Sequence, residues 1–213
     1  MSSLNIFLIV LVVVIAIVIV IQANSDRNVS SEVISQKIIN KKTTSIIDES
    51  SVAERQEFLS QWVQYLFYIK QTAVAIMNAD QDADVLMTRL RTSHYDMERS
   101  LEKIFHDKEI SKAIGRYIKR YTEQWIIVAQ TMRIDSNYNK HIILNDIRKT
   151  AEDFGMYLDL VMGTEYYRMK VIKLTEQIIT NFNSYAANNY LDNVRSFDSY
   201  INNGCTLALS IFF

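Results

Sequence analysis

The sequence predicts an all-α protein: an N-terminal transmembrane helix followed by an up-down bundle of about six helices, arranged as three αα-hairpin repeats. Three observations carry this. First, none of the 213 residues is proline and only four are glycine (Gly115, Gly155, Gly163 and Gly204), whereas sandwiches, barrels and Rossmann-like folds lean on Gly and Pro for their many turns. Second, apolar residues recur at helical spacing from Val52 onward. Third, hydrophobic residues make up 49% of the chain and aromatic ones 11%, enough for a core and too much for a disordered chain.

The elements follow in chain order. Residues 1–23 are a membrane anchor. Ile6 to Ile21 is an uninterrupted apolar run, and Leu4 to Ala23 contains only Asn5 and Gln22 as polar residues. As a helix those twenty positions span ~30 Å, the thickness of a bilayer core. A cleavable signal peptide fits less well, because Met1 to Asn5 holds no Lys or Arg and Ile21-Gln22-Ala23 is a poor small-x-small site. The basic residues flanking the span, Arg27, Lys37, Lys41 and Lys42, all follow it, a bias that by itself places the remaining chain in the cytoplasm. Asn28-Val29-Ser30 is a glycosylation sequon, which matters only on the opposite side. Residues 24–50, rich in Ser, Asn, Lys and Thr, read as a polar stalk.

Residues 51–213 form the bundle domain. Trp62, Leu66, Ile69, Ala73 and Ile76 make one apolar stripe, and Tyr167, Val171, Leu174 and Ile178 make another. Polar corners at Asp80 to Asp84, Asp135 to Asn137 and Ser184 to Asn189 supply N-cap residues, and Gly163-Thr164 reads as a helix stop followed by a cap. Gln71, Gln124 and Gln177 recur every 53 residues, with Thr122-Glu123-Gln124 matching Thr175-Glu176-Gln177. The second helix of each hairpin carries an aliphatic-Arg pair, Leu90-Arg91, Ile147-Arg148 and Val194-Arg195, followed in register by Met97, Phe154 and Ile201, then by Leu101, Leu158 and Cys205. Short connections between such helices favour antiparallel neighbours. Leu207 to Phe213 completes the last helix and is too short to span a membrane.

The segment Tyr68 to Ile76, with Asp80, Arg89-Leu90-Arg91, Asp96 and Ile104-Phe105, resembles an uncharacterised family of bacterial all-helical proteins that are secreted or membrane-anchored. The likeness runs on through Glu123-Gln124 and Ala151 to Leu158. It implies a helical bundle outside the cytoplasm, and on that ground the bundle is expected on the extracytoplasmic side. Names such as glycosyltransferase attached to members carry no weight, since no phosphate- or sugar-binding loop is present. The family pattern places His where this chain has Gln64 and Gln124, so a ligand held by those imidazoles is not expected here. Low Gly and Pro with abundant Ile, Asn and Lys also fits an AT-rich genome, such as that of a large DNA virus.

Motifs for chemistry are absent. The chain has 23 basic and 24 acidic residues, a net charge of −1, so no basic excess exists to hold a nucleic acid. His94, His106 and His141 have none of the spacings that put two ligands on one helix face. Asp80, Asp82 and Asp84 mimic a calcium loop, but Val85 stands where the loop needs Gly and Arg91 where it needs Glu. Cys205, the lone cysteine, sits in an apolar run where a thiol is inert. No nucleophile elbow, P-loop or dinucleotide motif occurs, so no cofactor and no catalytic residue is expected. Arg91, Arg148 and Arg195 remain: cations for an anionic ligand or partner, or else salt-bridge partners within each hairpin, for example of Glu123 and Glu176, or plain solvated side chains.

The expected function is therefore that of a single-pass membrane protein, held by residues 4–23, whose bundle binds a protein partner or plays a structural role at the membrane surface. The rivals are a ligand-sensing helical module that signals through a partner, and an enzyme with a site inside the bundle. A cavity lined by convergent polar groups favours the rivals; a solid core with an exposed apolar patch favours the first.

Overall fold

A computed structural model describes residues 52–134 and 137–212, in which there are six helices and no strand: α1 (Val52–Asn78), α2 (Ala83–Phe105), α3 (Lys108–Ile134), α4 (Asn137–Met162), α5 (Tyr167–Ala186) and α6 (Tyr190–Phe212). The expected anchor, the stalk, Asn28 and the corner at 135–136 lie outside the described residues. None of the described helices is long and apolar enough to cross a membrane.

The periodicity that predicts the helices is also what packs them. Thr72, Ala73, Ala75 and Ile76 on α1 are buried; so are Trp125, Ile126, Val128 and Ala129 on α3, and Ile178, Ile179, Asn181 and Phe182 on α5. These three sets superpose at the 53-residue step, so the repeat is a structural one. α1, α3 and α5 are the inner helices. They run parallel, because contacts between them join later residues to later ones: Tyr65 to Thr122, then Tyr121 to Thr175 and Trp125 to Phe182.

Successive helices run antiparallel, as short connections require. Contacts between α1 and α2 pass from Glu57–Lys103 to Tyr68–Arg89, and those between α5 and α6 from Tyr167–Ser210 to Asn181–Asn193. The ring then closes, since α1 packs on α6 as well as on α2 and α3. Trp62 Nε1 donates to the Gly204 carbonyl (3.0 Å), Tyr200 Oη donates to the Leu66 carbonyl (3.1 Å), and Phe67 and Phe197 meet edge to face.

That closure corrects the expected register of α6. The repeat places Val194, Ile201 and Cys205 on the buried face. Asn193, Tyr200 and Gly204 are buried instead, one residue earlier, and Val194 is 55% exposed. The cause is Gly204. A Cβ there would overlap Leu66 Cδ1, so glycine lets α6 sit against α1 with Leu66 in place, where its carbonyl accepts from Trp62. Gly155 does the same between α4 and α5, where a Cβ would overlap the backbone of Arg168.

The corners also depart from the sequence reading. Helix ends use left-handed residues, but only Gly163 (φ 67°) is glycine; Ala79 (58°), His106 (48°) and Asn188 (55°) do the same work. Each puts an amide back onto the preceding helix, as in Asp80 N–H to Ala75 O (2.9 Å) and His106 N–H to Glu102 O (3.0 Å). Asp82 precedes α2 without a side-chain cap bond, so the acidic corner acts through backbone bonds and the Asp84 charge in the first turn. The unexpected cap is Asp107, whose Oδ1 accepts from Glu109 and Ile110 N–H. Nor does Thr164 supply the main cap of α5. Asp159, on the preceding helix, accepts from Tyr167 N–H (2.5 Å) and Arg168 N–H (3.2 Å).

Two predictions follow from this packing. Ala79→Gly relieves the left-handed strain, less the entropy that glycine adds to the unfolded chain, and should raise stability by about 0.5–1 kcal/mol; Gly155→Ala should lower it by about 1–3 kcal/mol through overpacking. Chemical denaturation midpoints read both. The second concerns pH. Burial holds the Tyr65, Tyr121 and Tyr200 phenols above their usual value and pushes Tyr157 up to about 12. Unfolded tyrosines ionise near pH 10, so this stabilisation is complete below pH 10 and is lost as pH rises through 12. Melting temperature against pH, with phenolate absorbance recorded in parallel, should show ionisation and unfolding together in that window.

Candidate functional site

The three arginines singled out by the repeat do not converge. Arg91 Nε on α2 donates to both Glu123 oxygens on α3 (3.0 and 3.1 Å), and Arg148 on α4 makes a two-point pair with Glu176 on α5 (2.6 and 3.0 Å). Both pairs occupy equivalent positions in the repeat. They join one hairpin to the next rather than bracing a hairpin internally. Arg195 belongs to the misregistered part of α6 and lies exposed beside Val194, with no ion pair among the described residues. The acid that would match it on α1, by the 53-residue step from Glu123, is Lys70, whose Nζ lies 3.6 Å from the Phe197 ring centre. A cation therefore stands at the closing seam where the other two seams have a carboxylate.

The remaining sequence candidates hold no site of their own. His94 is buried, its Nδ1 2.6 Å from the Arg91 carbonyl, while His106 and His141 are exposed. Among the described residues, no group of three His, Cys, Asp or Glu side chains is placed to hold a metal. Cys205 is half-buried, and burial pushes its thiol up, away from the reactive thiolate.

Two surface features were not read from the sequence as sites. The first is apolar. Tyr190, Leu191 and Val194 are 76%, 61% and 55% exposed on the first turns of α6. Their spacing puts them on one side of the helix, and Phe197 continues the stripe to the partly exposed Phe67 on α1. The one-residue turn of α6 is what brings Val194 into it. The second is a polar groove between α1 and α2, where Gln61, Gln64 and Tyr68 face Arg89, Ser93 and Asp96 around a volume of about 140 Å³. One apolar void inside the bundle is, by contrast, very small. The void among Trp62, Leu101, Ile118, Phe154 and Leu207 measures about 10 Å³, a single water's space with apolar walls.

No protein-family model, curated protein or solved structure matches this chain.

The pairings predict a graded mutational response. A double-mutant cycle on Arg148 and Glu176 should give a coupling below ~1 kcal/mol, since both side chains are about 40% exposed. Arg195→Gln should change stability by less than ~0.5 kcal/mol. Urea denaturation of the four cycle proteins and of R195Q checks both.

Proposed function

We propose that the chain is a single-pass membrane protein whose helical bundle serves an interaction role through the exposed apolar face of α6. The observation that carries this reading is that Tyr190, Leu191 and Val194 share one side of α6 and run on through Phe197 to Phe67 on α1, whereas exposed apolar side chains such as Val85, Ile134 and Met169 lie on other helices. Large apolar side chains gathered on one face cost solubility, and on a protein with a closed core they mark a surface for a partner. The apolar void among Trp62, Leu101, Ile118, Phe154 and Leu207, at about 10 Å³, is too small for a substrate and supports the same choice at that place in the bundle. Membrane attachment rests on the twenty-residue segment Leu4 to Ala23, and the resemblance to anchored bacterial helical proteins supports an extracytoplasmic bundle.

Each part has its own test. The full chain should stay with membranes after alkaline carbonate washing, whereas a variant lacking residues 4–23 should be released. Modification of Asn28, or protease access to the bundle on intact membranes, reports the outer side. A photo-crosslinking side chain at Leu191 should give one discrete adduct and the same group at exposed Lys119 none; equal labelling at both positions would argue against a partner face on α6.

A further inference from the structure

The groove between α1 and α2 is distinguished by comparison with the other two hairpins of the same chain. Gln61 and Gln64 correspond, at the 53-residue step, to Ile114 and Tyr117 in the second hairpin and to Tyr167 and Lys170 in the third. In the second hairpin Tyr117 occupies the seam, stacked on Phe154 (5.4 Å between ring centres) and tilted against Tyr157 (5.5 Å). In the third, Tyr167 is buried with its hydroxyl on the Ser210 carbonyl, and Lys170 lies over the Tyr166 ring. Only in the first are both positions glutamine, and there the helices enclose about 140 Å³ of polar-walled space.

The groups around that space form two ends. Gln61 Oε1 is buried and accepts no hydrogen bond, although its amide nitrogen reaches Glu57. Asp96 lines the same groove, its carboxylate only loosely associated with Arg99 at 3.9 Å. Two helical turns away, ~10.5 Å along α2, Arg89 lies across the Tyr68 ring, 5.2 Å from its centre. The groove thus offers acceptors at one end and a guanidinium at the other, with the Gln64 amide and Ser93 hydroxyl between. At about 140 Å³ the groove has room for a small polar molecule, not only for a single water.

We propose that this groove binds a small zwitterion of the amino-acid class, its ammonium group at Asp96 and the Gln61 carbonyl oxygen and its carboxylate at Arg89. The buried Gln61 oxygen gains a donor, and the two opposite charges set the direction of binding. The site goes beyond the interaction role of α6 and does not depend on it or on the membrane anchor, since all the groups named belong to α1 and α2.

Isothermal titration of the full chain in detergent with 4-aminobutyrate tests this, with butyrate and butylamine as probes that each lack one charge. Saturable binding of 4-aminobutyrate is expected, at least tenfold tighter than either single-charge probe. R89Q and D96N should each weaken it at least tenfold. Gln64→Tyr, which copies the plug of the second hairpin, should abolish it while leaving the melting temperature unchanged or higher. Absence of binding to the unmodified chain, equal affinity for butyrate or butylamine, or unchanged affinity in folded Q64Y would each overturn the proposal.

Discussion

The bundle depends on the meeting of its first and last helices. Trp62 must place its indole N–H where a carbonyl can accept it, or leave a polar group buried without a partner. Gly204 supplies that carbonyl, and with no side chain it leaves Leu66 in place as α6 comes up against α1. Once this contact is made, the rotation of α6 is fixed. Tyr200 turns in to the Leu66 carbonyl, and Val194 and Arg195 turn out. The exposed apolar stripe is therefore a by-product of the closure, and so is the exposed position of Arg195.

Inside the ring, the parts are held by different means. The parallel inner helices share hydroxyl bonds, Tyr65 to Thr122 and Tyr121 to Thr175, in a region where apolar contacts would permit slippage. The α5–α6 hairpin has a reciprocal pair, with the Asn181 and Asn193 amides each donating to the other's backbone carbonyl. Such buried amides fix a register more than they add stability. The Arg–Glu pairs between hairpins are half-exposed and weak, and their contribution is to repeat the same inter-hairpin spacing twice.

Much of this was legible in the sequence, for a physical reason. Helical periodicity and the 53-residue step are local or additive signals, and they located helical stripes and the burial of the inner faces; they named Glu123 and Glu176 as arginine partners but put those pairs within hairpins rather than between them. What could not be read was set by distant residues. The register of α6 is decided by Trp62, 142 residues from Gly204. The cap of α5 comes from Asp159 on the previous helix, not from the neighbouring Thr164. Left-handed Ala79 leaves no compositional mark, because alanine does not favour that conformation. The polar groove had a trace in Gln61 and Gln64, which look like an ordinary solvated side of α1 until the same positions are compared across the three hairpins.

The closing seam also has a consequence for synthesis. Every other antiparallel interface joins helices adjacent in sequence, so each hairpin can pack soon after it emerges. The α1–α6 interface cannot, because its second half is the last helix of the bundle. Until those residues leave the ribosome, Trp62, Leu66 and Phe67 present an uncovered apolar side, at the part of the bundle made first. The nascent chain must carry that side through the translation of the remaining helices, and shielding it during that interval becomes a requirement on the cell rather than on the fold.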